Sequence, residues 1–119
     1  RVVDMVPDLE VYGDEEGDIL LVGWGGTYGH MISAARELRQ EGKNVSLAHF
    51  NYIKPLPKNT AEVFSKFKKI IVGELNLGQF AGYLRNMVPL FTYYQVNKLK
   101  GLPFTVNELK QSVYKLLEE

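Results

Sequence analysis

Apolar and polar positions along this chain follow two rhythms in alternation. Residues 18–25, DILLVGWG, form a short unbroken apolar run ended by glycine, the pattern of a strand buried on both faces. From Tyr28 to Glu41, Met31, Ala34 or Ala35, and Leu38 recur at helical spacing, and Gly42 supplies a stop. Asn44 to Phe50, NVSLAHF, reads as a second strand that Pro55 and Pro57 prevent from continuing. Asn59 with Glu62 three residues later has the spacing of a helix start, and Val63, Phe64 and Phe67 give that helix an inner face. Lys68 to Glu74, KKIIVGE, is a third strand, followed by a helix with Phe80, Leu84 and Val88 on one side and a stop near Pro89. Tyr93 to Lys98 is a fourth strand. Thr105 and Glu108 have capping-box spacing, and Val106, Leu109, Val113 and Leu116 follow at helical intervals. Strands alternating with helices predict an α/β fold, a mainly parallel sheet covered on both faces.

The chain has 119 residues, enough for one domain with a single core. Fourteen positive and fourteen negative side chains cancel, so no electrostatic pull toward nucleic acid or an anionic membrane is built in. There is no cysteine, which removes disulfides, thiolate metal sites and cysteine nucleophiles. No apolar run approaches the roughly 20 residues that span a bilayer, and no secretory signal is seen, so the cytoplasm is the expected compartment. The chain opens on Arg1 rather than Met, and RVVDMVPDLEVYGDEEGD is acidic and rich in turns. The expectation is a piece of a longer protein, with residues 1–16 a linker or edge segment and 17–119 the domain proper.

Residues 19–30, ILLVGWGGTYGH, place four glycines between a strand and a helix, where a loop often cradles phosphate. Gly23 and Gly25 fit a G-x-G-x-x-G fingerprint, but its third glycine falls on Tyr28, and no carboxylate ends the second strand to hold a ribose. No Gly-Lys-Ser/Thr follows, and no strand-end aspartate offers a phosphoacceptor. Two readings of the loop remain. In one, Gly25 and Gly26 permit a tight turn, Thr27 caps the helix and Trp24 packs against neighbours. In the other, the loop amides meet an anionic group presented by another domain.

His30 and His49 lack the companions of a triad or a metal site and read as structural. Glu74, beside Asn76 and Gln79, is either a carboxylate at a site edge or one bonded to loop amides. Tyr93 and Tyr94 read as strand packing, and Lys66, Lys68 and Lys69 as a solvated turn. Three segments should emerge at the carboxyl edge of the sheet, giving a cleft or interface edge of Gly25, Gly26, Thr27, Tyr28, Asn51, Lys54, Glu74, Asn76 and Gln79. If the domain docks on others, apolar surface around Trp24, Tyr28, Phe91 and Tyr94 should be uncovered.

Taken in series, LLVGWGGTYGHMISAARELRQEGKNVSLAHFNYIKPLPKN, KKIIVGELNLGQFAGYLR and KLKGLPFTVNEL resemble the C-terminal part of the alpha subunit of 2-oxoacid:ferredoxin oxidoreductases, of the 2-oxoglutarate type. The likeness runs from about Gly17 to Leu116, and its most specific pieces are the GWGxTYG turn, the AHxxYxxPxPKN segment and the ExNLGQ loop. It implies a transketolase C-terminal-domain-like fold, three layers with one antiparallel strand in a mostly parallel sheet. It also implies partners: the rest of the alpha subunit, a beta subunit, ferredoxin and coenzyme A. The whole enzyme would oxidatively decarboxylate a 2-oxo acid to an acyl-CoA with thiamine diphosphate, magnesium and an iron–sulfur cluster. None of the family's catalytic, cofactor-binding or metal-binding residues maps onto this stretch. The matching Gly23, Gly25, Thr27, Tyr28, Gly29, Asn51, Pro55, Pro57, Asn59, Glu74, Asn76, Gly78 and Gln79 therefore carry over only as loop, edge and interface elements. Two other classes stay open: a free-standing regulatory module binding a small anion or nucleotide, and a transketolase-like tail acting on sugars.

Overall fold

The computed structural model describes residues 7–25, 28–51, 56–74, 79–97 and 105–118. Among these residues five strands form one sheet in the order β1-β3-β2-β4-β5: β1 Val11–Tyr12, β2 Gly17–Trp24, β3 Val45–Phe50, β4 Phe67–Glu74 and β5 Tyr93–Asn97. The helices are α1 Tyr28–Gln40, α2 Thr60–Phe64, α3 Gln79–Met87 and α4 Val106–Leu117. β2 lies at the centre and pairs in parallel with β3 and β4, and β4 pairs in parallel with β5. Among the described residues only β1 runs antiparallel, pairing Val11 with Ala48 and Tyr12 with Leu47 on β3.

Side-chain alternation along the strands divides the core between the two faces. Ile19, Leu21, Leu47 and Ile71 meet Met31, Ala35 and Leu38 of α1 and Leu109 and Val113 of α4. Leu20, Val22, Phe50, Ile70 and Val72 meet Val63 and Phe64 of α2 and Phe80, Ala81 and Leu84 of α3. The second face is aromatic. Rings touch in sequence from Trp24 to Phe80, Phe50 and Phe64, and Phe64 then meets both Phe91 and Tyr93. Tyr93 Oη donates to the Val88 carbonyl at 2.7 Å. Burial pushes its hydroxyl up to about 12, so it stays a donor at neutral pH.

On the first face a polar clasp ties the two long helices. Lys110 of α4 bonds Glu37 at 3.1 Å and Glu41 at 2.6 Å, and Tyr114 Oη donates to Glu41. The bond from Lys110 holds Glu41 below the ordinary carboxylate value, and the bond to Glu41 holds Tyr114 above the ordinary phenol value. Gly42, at φ +87°, stops α1 as expected, and the Lys43 amide reaches back to the Leu38 carbonyl. The capping box at Thr105 and Glu108 is present with both bonds made.

Three local expectations change. Asn59 does not cap α2 through its side chain. Its amide instead accepts from Leu9 N at 2.7 Å and donates to Leu9 O at 3.0 Å, satisfying backbone groups that an edge segment otherwise leaves unpaired. The helix after it is only five residues long, and Phe67 belongs to β4 rather than to an inner helical face. Lys68 and Lys69 also lie in β4 and not in a turn. Lys69 Nζ donates to the Leu116 carbonyl at 2.7 Å, and Lys68 pairs with Asp18 at 3.3 Å.

Phe64 packs against three rings, so Phe64→Ala should cost about 3–5 kcal/mol in urea unfolding. Tyr93→Phe should cost about 1–2 kcal/mol by the same measurement, because the Val88 carbonyl loses its buried donor.

Candidate functional site

The carboxyl ends of β2, β3 and β4 share one edge, with Trp24 level with Phe50 and Val22 level with Val72. Alternation then sends their terminal side chains to opposite faces. Trp24 follows Val22 onto the aromatic face, where its ring meets Phe80 of α3 at 6.1 Å. α1 leaves β2 toward one face and α3 leaves β4 toward the other, which makes the gap between β2 and β4 the topological switch point. Trp24 against Phe80 lies over that gap, where a doubly wound sheet ordinarily takes its ligand.

Glu74 ends β4 on the same aromatic face and is 2% exposed. Its two oxygens accept from the amides of Phe80, at 2.7 Å, and Ala81, at 2.9 Å, in the first turn of α3. Of the two readings, the bond to amides is the observed one. The carboxylate satisfies two of the helix's orphan donors and complements its dipole. The first turn of α3 is thereby engaged by the protein's own anion. Gln79 is exposed at the start of the helix.

On the opposite face the glycine turn is held from β3. Gly25 adopts φ +66°, a conformation that glycine takes at little cost. His49 Nε2 donates to the Gly25 carbonyl at 3.1 Å, and its ring meets Tyr28 edge-on at 5.0 Å. Burial lowers the His49 pKa, opposed by the bond to Gly25, so the ring is neutral at pH 7. A cavity of about 940 Å³ opens beside this group, lined by Tyr28, Leu47, His49, Asn51, Pro57 and the 7–12 segment.

The edge predicted from sequence therefore separates into parts. Gly25, Tyr28 and Asn51 gather with His49 on the α1 face, while Glu74 is turned under α3 on the other. Gly26, Thr27, Lys54 and Asn76 lie outside the described residues. Sequence reasoning took His49, the histidine of the AHxxYxxPxPKN segment, as structural without finding its partner, and missed the part played by Asn59, whose spacing from Glu62 resembled a cap. The expected apolar exposure is found at Trp24, 38%, and Tyr28, 50%, whereas Phe91 and Tyr94 pack against the core. Leu90, at 87%, is an exposed apolar side chain the sequence did not single out.

Residues 11–81 match the family described as the C-terminal domain of transketolase. The chain belongs to that family.

Two curated relatives narrow the likeness. The 2-oxoglutarate oxidoreductase subunit KorA of Mycobacterium tuberculosis is 43% identical over 106 residues, covering 87% of this chain and 16% of the relative. The alpha subunit of 2-oxoacid:ferredoxin oxidoreductase 1 from Aeropyrum pernix is 33% identical over 109 residues, 88% of this chain and 17% of the relative. This transketolase C-terminal domain thus spans about a sixth of the length of those relatives. Among solved structures, 2-oxoglutarate:ferredoxin oxidoreductase from Magnetococcus marinus superposes with TM-score 0.88 and 28% identity, over 96% of this chain and 20% of that one. The alpha chain of a probable 2-oxoacid ferredoxin oxidoreductase from Thermoplasma acidophilum, at 24% identity and TM-score 0.65, shares the fold and covers 94% of this chain and 98% of that one.

Two variants probe the tethers in the domain. Glu74→Ala should cost about 3 kcal/mol in urea unfolding, because two buried amides lose a charged acceptor. His49→Gln tests pH dependence. The unfolded chain takes up a proton near the ordinary value of about 6.5 before the folded one does, so acidification through that value lowers stability. Between about pH 7.5 and 5.5 the wild type should lose stability relative to His49→Gln, read from urea midpoints at constant ionic strength.

Proposed function

We propose that the chain supplies the transketolase C-terminal-like domain of an alpha subunit in a 2-oxoacid:ferredoxin oxidoreductase of the 2-oxoglutarate type. The observation that carries this reading is the superposition on the Magnetococcus marinus enzyme across 96% of the chain, supported by 43% identity to a 2-oxoglutarate oxidoreductase subunit. In the complete enzyme a 2-oxo acid is oxidatively decarboxylated to an acyl-CoA, and the electrons pass to ferredoxin. Thiamine diphosphate, magnesium and an iron–sulfur cluster supply that chemistry when bound elsewhere in the assembly.

Among the described residues neither the cluster nor a metal ion finds a ligand set. The sequence has no cysteine to ligate a cluster, and among the described residues no three of His, Cys, Asp and Glu are placed to hold a metal ion. What the domain contributes is a rigid edge. His49 fixes the glycine turn, Asn59 fixes the 7–10 segment, and Glu74 fixes the start of α3. Trp24 and Tyr28 remain exposed beside these tethers as contact surface for the rest of the alpha subunit and for the beta subunit. No helix among the described residues is long and apolar enough to cross a membrane, and the cytoplasm is part of this reading.

The small-anion or nucleotide module has less to stand on. The first turn of α3 already holds Glu74, and Asp8 and Glu10 border the large cavity.

The test uses the purified 119-residue chain with 2-oxoglutarate, coenzyme A and a one-electron acceptor. The expected outcome is a folded domain with no acceptor reduction above background that co-purifies with the remaining alpha and beta polypeptides on co-expression. Turnover by the chain alone, or nanomolar nucleotide binding without association with those polypeptides, would overturn the reading.

A further inference from the structure

The large cavity is bordered by the 7–12 segment, a strap at the sheet edge whose alternate residues face away from the core. Asn59 grips Leu9 by both backbone groups, and Leu9 and Val11 turn inward against the aromatic face. Alternation then turns Glu10 and Tyr12 the other way. Tyr12 pairs with Leu47, so both side chains stand on the α1 face, and continuing that register brings Glu10 opposite His49. The cavity of about 940 Å³ formed there has Leu47 as an apolar floor and falls in the size range of small-ligand sites.

We propose that this cleft receives a cationic side chain, an arginine guanidinium or a lysine ammonium, presented by a segment of another polypeptide. The polar groups around it accept hydrogen bonds. Asp8 and Glu10 bring two carboxylates, and among the described lining residues there is no Lys or Arg to neutralise them. His49 has its Nε2 committed to the Gly25 carbonyl, which leaves Nδ1 as the acceptor of a neutral ring. Tyr12, 39% exposed, and Tyr28, 50% exposed, supply ring faces of the kind that attract guanidinium and ammonium groups. An anion would meet the two carboxylates, so charge complementarity selects the cation. Lys66, paired with Glu62 at 4.0 Å, lines a neighbouring depression that also borders Asp8 and Glu10 but is no part of the lining of this cleft. The inference stands apart from the enzyme reading, because it rests only on the lining of this cleft.

The experiment is an amide-shift titration of the ¹⁵N-labelled chain with methylguanidinium and with the capped tripeptide acetyl-Gly-Arg-Gly-amide. Saturable shifts confined to Asp8, Glu10, Tyr12, Tyr28, His49 and Asn51 are expected for both probes, with the peptide binding at least about fivefold tighter because it adds backbone contacts. Asp8→Asn/Glu10→Gln should weaken both by about tenfold or more, while Glu15→Gln/Glu16→Gln, which removes the same charge outside this cleft, should leave them unchanged. The spectra themselves report whether each variant is folded, and Asp8 and Glu10 are exposed, so their replacement leaves the core intact. Equal affinity for the two probes overturns a protein segment as the source of the cation. Shifts insensitive to Asp8→Asn/Glu10→Gln, or larger with inorganic phosphate than with guanidinium, overturn the cation site.

Discussion

Everything in this domain follows from a central strand that has no polar side. Residues 19–23 of β2 are buried on both faces of the sheet, so each face needs its own helical layer and each neighbour must be a strand. α1 and α4 cover one face, and α2 and α3 the other. The two cores differ in kind. One is aliphatic and clamped at its rim by Lys110 with Glu37 and Glu41, while the other is a run of touching rings from Trp24 to Tyr93.

With the layers set, the polar residues near the carboxyl edge act as backbone tethers. His49, Asn59 and Glu74 each bond main-chain groups that a turn, an edge or a helix start would otherwise leave unmet. Glu74 does so with a charge, in a site 2% exposed, where two amide donors and a helix dipole offset the cost of burial. These bonds hold the glycine turn, the acidic strap and α3 in one arrangement. Trp24 and Tyr28 stay exposed beside it, the surface proposed above for docking.

The fold was legible because its signals are local and repeated. The apolar run at residues 18–25, the helical spacing from Met31 to Leu38 and the capping box at Thr105 each need only near neighbours to be recognised. The site was less legible, for a reason visible at Asn59. Its spacing from Glu62 satisfies a capping pattern, yet its amide reaches a backbone fifty positions away. Glu74 was readable as far as two alternatives, and the choice between them depended on where α3 begins relative to β4. His49 stands in the AHxxYxxPxPKN segment, but its bond was not legible, since the partner carbonyl comes from a different strand's turn.

By itself the sequence determined the class of fold, the order of elements and the absence of cysteine chemistry, because periodicity and composition are properties of the chain. Through its glycine, proline and ExNLGQ segments it also pointed to the family. Only the tertiary structure decided which face each edge residue takes. A strand's period of two sends neighbours to opposite sides, so Glu74 and Asn51 can share an edge and still serve different surfaces. It alone placed the acidic strap over Leu47 and His49, through one side-chain amide gripping Leu9. The glycine turn that resembles a phosphate cradle is, in three dimensions, a turn held by histidine beside an acidic cleft.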